Sequence, residues 1–152
     1  MMTLNVGAVY VDNDDASGYS NSREGFNETL SSSSYYRGDA RRNGGSSGSY
    51  SWYFNGSGKG STSSFDVSMY AYVNDASFTN TSARYVANGN NTWFTIGYLD
   101  QNAAYGGWNY IGRTTVTPLY NLGYNNIAVN SVTLIANSTY YTGADGVQVL
   151  FP

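Results

Sequence analysis

The chain has 152 residues, no cysteine, no histidine and a formal net charge of −3 at pH 7. Its length corresponds to one domain, 1–152, and the missing residue types exclude the usual nucleophilic triads and thiolate chemistry. The seven Lys and Arg residues are too few for the sustained basic patch that binds nucleic acid. No apolar run approaches the roughly 18 residues that a membrane helix needs.

Segments with apolar residues at alternate positions recur along the chain and predict strands. Turn-forming clusters such as RRNGGSSG, NGSGKG and TGADG separate them, and no long segment has helical apolar spacing. In chain order the predicted strands are 6–11, 50–54, 65–73, 83–87, 92–98, 108–111, 114–117, 126–135 and 147–151.

The strand 65–73, FDVSMYAYV, shows the alternation most clearly, and its second face carries Tyr70 and Tyr72. In 126–135 the alternation slips by one residue at 130–131, which predicts a β-bulge. Many short strands with regular turns predict an all-β fold, a single antiparallel β-sandwich or jelly roll.

The ten carboxylates show no spacing that marks an acid–base pair, and most lie in turn clusters where aspartate caps its own backbone. Two of them brought together in space would suffice for a glycosidase, but we predict that the chain is not an enzyme.

The segment 11–18, VDNDDASG, is the candidate metal site. Asp12, Asp14 and Asp15 offer the hard oxygen ligands that Ca²⁺ prefers. The alternative is an aspartate-rich turn at the end of the first strand. Asp145 joins this group only if the last strand lies beside the first.

Aromatic residues offer two interpretations as well. Tyr105 and Trp108 flank a Gly-Gly pair, and their flat faces suit stacking against a sugar ring. The alternative is a structural turn with a core tryptophan. Trp52 and Trp93 lie within predicted strands and are expected in the core.

The motifs, taken in order, resemble the golvesin C-terminal-like domain of secreted and surface bacterial proteins. In 100–112, DQNAAYGGWNYIG, the matching residues are Gln101, Gly106, Gly107, Trp108 and Gly112; Ile111 and Gly146 depart from the family pattern. The resemblance implies a galactose-binding-like β-sandwich, and because no catalytic residues are established for the family, it assigns none here. The other matching segments are VDNDDASGYSNS, YYRGDAR, SWYF, FDVSMYAYV, ASFTNTSARYVA, VTLIA and GADGVQV.

We expect an extracellular or cell-surface protein, because its Tyr, Gly, Ser and Asn content resembles that of surface-layer and fibre proteins. Five Asn-x-Ser/Thr sequons are candidate glycosylation sites. They begin at Asn27, Asn55, Asn80, Asn90 and Asn137.

Two functions remain open. The first is a self-associating structural subunit of a fibre, sheath or surface layer, with terminal strands that pair edge to edge; the residues predicted to take part are Val6, Val9, Val147 and Val149. The alternative is a carbohydrate-binding or adhesive module that uses Tyr105 and Trp108.

Overall fold

The computed structural model describes residues 7–13, 23–53, 65–89, 92–116 and 131–151. Within these ranges the chain forms twelve strands and two single-turn 3-10 helices, Tyr36–Gly38 and Gln101–Ala103, and no helix there is long and apolar enough to cross a membrane. The strands are Gly7–Val11 (β1), Arg23–Glu24 (β2), Glu28–Ser31 (β3), Asp39–Asn43 (β4), Ser49–Tyr53 (β5), Phe65–Val73 (β6), Ala83–Gly89 (β7), Thr92–Leu99 (β8), Gly107–Val116 (β9), Ser131–Ile135 (β10), Thr142–Ala144 (β11) and Val147–Phe151 (β12).

The strands form three antiparallel sheets. A four-stranded sheet has the order β1-β12-β6-β9, a five-stranded sheet the order β2-β5-β10-β7-β8, and a three-stranded sheet the order β11-β4-β3. The predicted all-β antiparallel sandwich is confirmed. Pairing of β1 with β12 joins the two ends of the chain in one sheet, which no local signal specifies.

The core lies between the sheets and follows the alternation predicted from sequence. In β6, Val67, Met69, Ala71 and Val73 are buried. Trp52 of β5 is also buried, as expected, and its indole Nε1 donates a hydrogen bond of 2.9 Å to the carbonyl oxygen of Asp145. The side chain of Trp93 lies outside the described part of the structure.

The two larger sheets meet where β8 crosses β9. A Cβ atom on Gly97 would lie 2.3 Å from the carbonyl oxygen of Ile111, and one on Gly112 would lie 2.4 Å from that of Ile96. The pairing of β9 with β6 skips Ile111, and the pairing of β8 with β7 skips Ile96. Each isoleucine is therefore the extra residue of a β-bulge. Both isoleucines are buried, as expected for bulges that redirect side chains.

Two strand predictions differ from the structure. The predicted strands 108–111 and 114–117 form the single strand β9, because a bulge at Ile111 continues the pairing. The bulge predicted at 130–131 lies at the border of the described residues, which resume with β10 at Ser131.

The three-stranded sheet was not predicted from the sequence, because its strands are polar. In β4, Arg41 and Asn43 are buried, and Arg42 forms an ion pair with Glu28 of β3. The Arg42 guanidinium also lies 4.3 Å from the centre of the Tyr141 ring. Apolar alternation cannot signal strands held by such pairs.

The strands predicted to self-associate have different environments. Val147 and Val149 are buried in β12, whose two backbone edges pair with β1 and β6. This strand therefore has no open edge for a second molecule. Val9 lies in β1, paired on one side with β12, and Val6 lies outside the described residues.

Candidate functional site

The outward side of the four-stranded sheet is lined with tyrosine. In β6, Tyr70 and Tyr72 alternate with the buried core positions and are half-buried. Tyr10 of β1 lies opposite Gln148 of β12. Gln148 in turn faces Tyr70, and Tyr70 faces Tyr110 of β9. Four neighbouring strands at about 4.8 Å spacing spread this row over roughly 14 Å of surface.

Trp108 forms the centre of a second group of rings on the same side. Tyr10, Tyr36 and Tyr72 contact it edge-on, with ring centroids 5.6, 5.1 and 5.3 Å away. Gly146 makes room for this group, since a Cβ there would lie 3.3 Å from Trp108 Cη2 and 2.7 Å from Tyr36 Cδ1. Edge-to-face contacts of this kind favour one ring orientation, so the group is held in place.

Together these side chains form the aromatic face, defined as Tyr10, Tyr36, Tyr70, Tyr72, Trp108 and Tyr110. Tyr10 is 44% exposed and Tyr110 is 52% exposed, whereas the others are half-buried. Gln148 Nε2 donates a hydrogen bond of 2.9 Å to Tyr10 Oη. The row Tyr10–Gln148–Tyr70–Tyr110 therefore presents aromatic rings, hydroxyl groups and an amide, without a charged side chain among its four residues.

The structure separates the two aromatic residues predicted to stack on sugar. Tyr105 is 86% exposed in the loop before β9, and its backbone is held by hydrogen bonds to and from the Asn109 side chain. Trp108 is half-buried within the aromatic face. The alternation in β6 already indicated Tyr70 and Tyr72, but the other members depend on strand register and on the position of Tyr36 in a 3-10 helix.

A polar cleft of about 200 Å³ lies beside Tyr105, between the segment after β6 and the loop before β9. It is smaller than the roughly 300 Å³ at which pockets for drug-sized ligands begin. Its lining residues are Val73, Asn74, Asp75, Ala76, Gln101, Asn102, Ala104 and Gly106.

Asp75 supplies the carboxylate of this cleft. Tyr35 Oη donates a hydrogen bond to Asp75 Oδ2, and the backbone NH of Ser77 donates one of 2.7 Å to Oδ1. Burial opposes ionisation, but these hydrogen bonds outweigh it and lower the pKa of Asp75 below its ordinary value. Asp75 is therefore ionised at neutral pH.

Asp145 was expected to join Asp12 only if the last strand lies beside the first, and β12 does pair with β1. Asp12 follows β1 and Asp145 precedes β12, and both side chains are buried. Burial and the charges of Asp12 and Asp39 together raise the pKa of Asp145 to about 8, although backbone hydrogen bonds from the Tyr36 and Gly146 NH groups act in the opposite direction.

Among the residues that the structure describes, no three acidic side chains are arranged to hold a metal ion. Asp14 and Asp15 lie outside those residues. The calcium site predicted at Asp12, Asp14 and Asp15 therefore stays a prediction.

Three of the five sequons lie in described residues and differ in accessibility. Asn27 and Asn137 are exposed. Asn80 is buried, and its Nδ2 donates hydrogen bonds to Asn137 Oδ1 and Thr142 Oγ1. Asn80 is thus a structural residue in the folded protein. Asn55 and Asn90 lie outside the described ranges.

No protein-family model matches the chain, and no curated protein matches it. Solved structures do resemble it. A xanthan lyase from Paenibacillus is 18% identical with a TM-score of 0.66, over 94% of this chain and 13% of the lyase. An exo-β-1,3-galactanase from Phanerochaete chrysosporium is 16% identical with a TM-score of 0.53, over 95% of this chain and 29% of that enzyme.

A third similar structure is an isolated module of comparable length. The C-terminal CBM6, a carbohydrate-binding module, of the laminarinase LamC from Zobellia galactanivorans is 10% identical with a TM-score of 0.50. The match covers 95% of this chain and 99% of that module. The chain shares the antiparallel β-sandwich fold of that module. At such identities the likeness establishes the fold alone.

Proposed function

We propose that the chain is a non-catalytic carbohydrate-binding module that holds a neutral glycan against its aromatic face. The observation that carries the proposal is the row Tyr10–Gln148–Tyr70–Tyr110 across the outward side of the sheet. The likeness of the fold to a CBM6 and to parts of two polysaccharide-degrading enzymes supports it.

The chemistry of the aromatic face suits a sugar chain. The apolar C–H face of a pyranose packs against a flat ring, and its hydroxyl groups exchange hydrogen bonds with amide and phenol groups. Tyr10 and Tyr110 stand at the two ends of the row and are its most exposed rings. The row crosses all four strands of the sheet, so a sugar chain that lies along it contacts more than one ring.

The rings are also held before a ligand arrives. Tyr70 contacts Tyr110 edge-on at 5.4 Å, and Trp108 is surrounded by three tyrosines. A preorganised surface loses less conformational entropy on binding. Membership of the golvesin C-terminal-like family and placement outside the cell remain proposals, and both agree with a glycan-binding role.

Tyr110→Ala tests this proposal. Affinity electrophoresis and calorimetry against laminarin and β-1,3-galactan, which are neutral, and xanthan, which is anionic, would measure binding. We expect the wild type to bind at least one neutral polysaccharide, and Tyr110→Ala to weaken that binding about twofold to tenfold, since one aromatic contact contributes about 0.5–1.5 kcal/mol.

The matched control is Tyr98→Ala, because Tyr98 is 57% exposed but lies on β8 in the other sheet. It should bind as the wild type does. Equal losses in both variants would contradict a site on the aromatic face. Failure of the wild type to bind any member of a broad glycan panel would overturn the proposed function.

A further inference from the structure

The polar cleft lies immediately next to the aromatic face. The carbonyl oxygen of Ser34 accepts hydrogen bonds from Tyr72 Oη at 3.3 Å and from Asn74 Nδ2 at 2.9 Å. Tyr72 belongs to the aromatic face and Asn74 lines the cleft. One backbone group therefore connects the two surfaces.

We propose that this cleft is an additional subsite that takes one neutral sugar unit of the glycan held on the aromatic face. The inference rests on the proposed function and specifies where the glycan continues. Ala104 and Gly106 line the cleft and flank Tyr105, which is 86% exposed, and we expect the Tyr105 ring to contact a sugar unit that projects from the cleft.

The polar groups of the cleft match the hydroxyl groups of a sugar. A carboxylate has about four acceptor positions on its two oxygens. The Tyr35 hydroxyl, the Ser77 backbone NH and the Ser77 side chain donate to Asp75, which leaves acceptor capacity for a sugar hydroxyl. Asn74 and Asn102 add amide groups on the two sides. The negative charge of Asp75 disfavours anionic sugars, which selects a neutral unit.

The walls of the cleft are fixed by contacts with the protein interior. Gln101 is buried, its Nε2 donates a hydrogen bond of 2.8 Å to the carbonyl oxygen of Gly143, and its Oε1 accepts one from the Gly143 NH. The Asp100 side chain accepts a hydrogen bond from the Ala103 NH and caps the 3-10 helix. A cleft held in this way binds with little reorganisation.

Two variants probe the subsite by different means. Tyr105→Ala removes the exposed ring. Gly106→Ala narrows the cleft, because its Cβ would lie 2.5 Å from Asn74 Oδ1. Tyr140→Ala is the matched control, since Tyr140 is 58% exposed in the segment between β10 and β11. Thermal unfolding of each variant checks that the fold is kept.

Calorimetry with laminari- and β-1,3-galacto-oligosaccharides, from the disaccharide to the hexasaccharide, measures the contribution of the subsite. We expect both cleft variants to lose roughly threefold to tenfold in affinity for the longest oligosaccharide that binds, and to lose less for the shortest. The control variant should keep the wild-type affinities.

The outcomes separate the two proposals. If the wild type binds and both cleft variants match it at every length, the subsite is overturned and the proposed function stands. If no oligosaccharide or polysaccharide binds the wild type, both are overturned. If the cleft variants lose binding while Tyr110→Ala keeps it, the aromatic face is overturned as the main site, and the cleft is overturned as an extension of that site.

Discussion

Asp145 carries a buried carboxyl group whose pKa is raised far above that of an ordinary aspartate. Its side chain is 2% exposed, Oδ2 accepts a hydrogen bond from the Tyr36 NH, and Oδ1 is buried without a hydrogen-bond partner. Burial and the nearby Asp12 and Asp39 carboxylates raise its pKa from 3.8 to about 8. The protonated form is therefore the stable one in the folded, metal-free protein at neutral pH.

This pKa shift predicts a pH-dependent stability. Between pH 3.8 and about 8 the folded state holds a proton on Asp145 that the unfolded state has released. The free energy of unfolding therefore decreases as pH rises through this window. Asp145→Asn should flatten the decrease, because an amide does not titrate.

Urea unfolding of both proteins in the presence of a chelator, at several pH values between about 4 and 8, measures the effect. The difference between wild type and variant isolates Asp145 from the other carboxyl groups. Parallel pH profiles for the two proteins would show that Asp145 does not have the raised pKa. Calcium at the predicted site of Asp12, Asp14 and Asp15 would favour the ionised form of Asp145 if this residue takes part.

At the scale of elements, the crossing of β8 and β9 joins the two larger sheets through paired glycines. Gly97 and Gly112 each lie against the backbone of the opposite strand, and the bulged Ile96 and Ile111 fill the core beside them. The approach is possible only without side chains at the two glycine positions.

Gly97→Ala and Gly112→Ala are therefore expected to destabilise the protein. Each Cβ would come within 2.4 Å of a carbonyl oxygen of the opposite strand, so the strands must separate, and overpacking of this kind costs about 1–3 kcal/mol. Chemical denaturation with urea measures the loss.

Gly45→Ala is the matched control, because its Cβ would lie 3.3 Å from the end of the Asn43 side chain in an exposed turn. It should change the free energy of unfolding by well under 1 kcal/mol. If Gly97→Ala and Gly112→Ala are as stable as Gly45→Ala, the backbones of β8 and β9 do not lie in close contact at the two glycines.

At the scale of the whole molecule, the arrangement of sheets bears on self-association. β12 lies between β1 and β6 in the sheet. Its backbone groups are already paired on both sides, so Val147 and Val149 cannot form an edge-to-edge contact with another molecule. Nothing in the described structure specifically favours a fibre or surface layer, and self-association stays a prediction.

If the chain is a glycan-binding module and not an assembly subunit, we expect a monomer with a mass near 16.5 kDa in solution. Light scattering and electron microscopy with and without a chelator measure the assembly state. Fibres or sheets would favour the structural hypothesis over the proposed function, and assembly that depends on calcium would support the predicted metal site.

Much of the fold and part of the candidate site followed from the sequence. Alternation in 65–73 determines both the buried side of β6 and the outward position of Tyr70 and Tyr72, because successive side chains of a strand point to opposite faces. Turn residues and the lack of helical spacing determine the all-β class. The absence of histidine and cysteine determines which catalytic chemistry is excluded.

Which strands become neighbours depends on long-range packing. The row from Tyr10 to Tyr110 depends on β1 pairing with β12, and the same pairing brings Asp12 near Asp145. Such contacts join residues far apart in the chain, and local patterns do not encode their register. The three-stranded sheet was missed for a related reason, since Arg42 and Glu28 attract each other only once β3 and β4 are paired. Local alternation therefore determines which side chains of a strand point outward. Long-range strand pairing determines which of those side chains lie together in the candidate site.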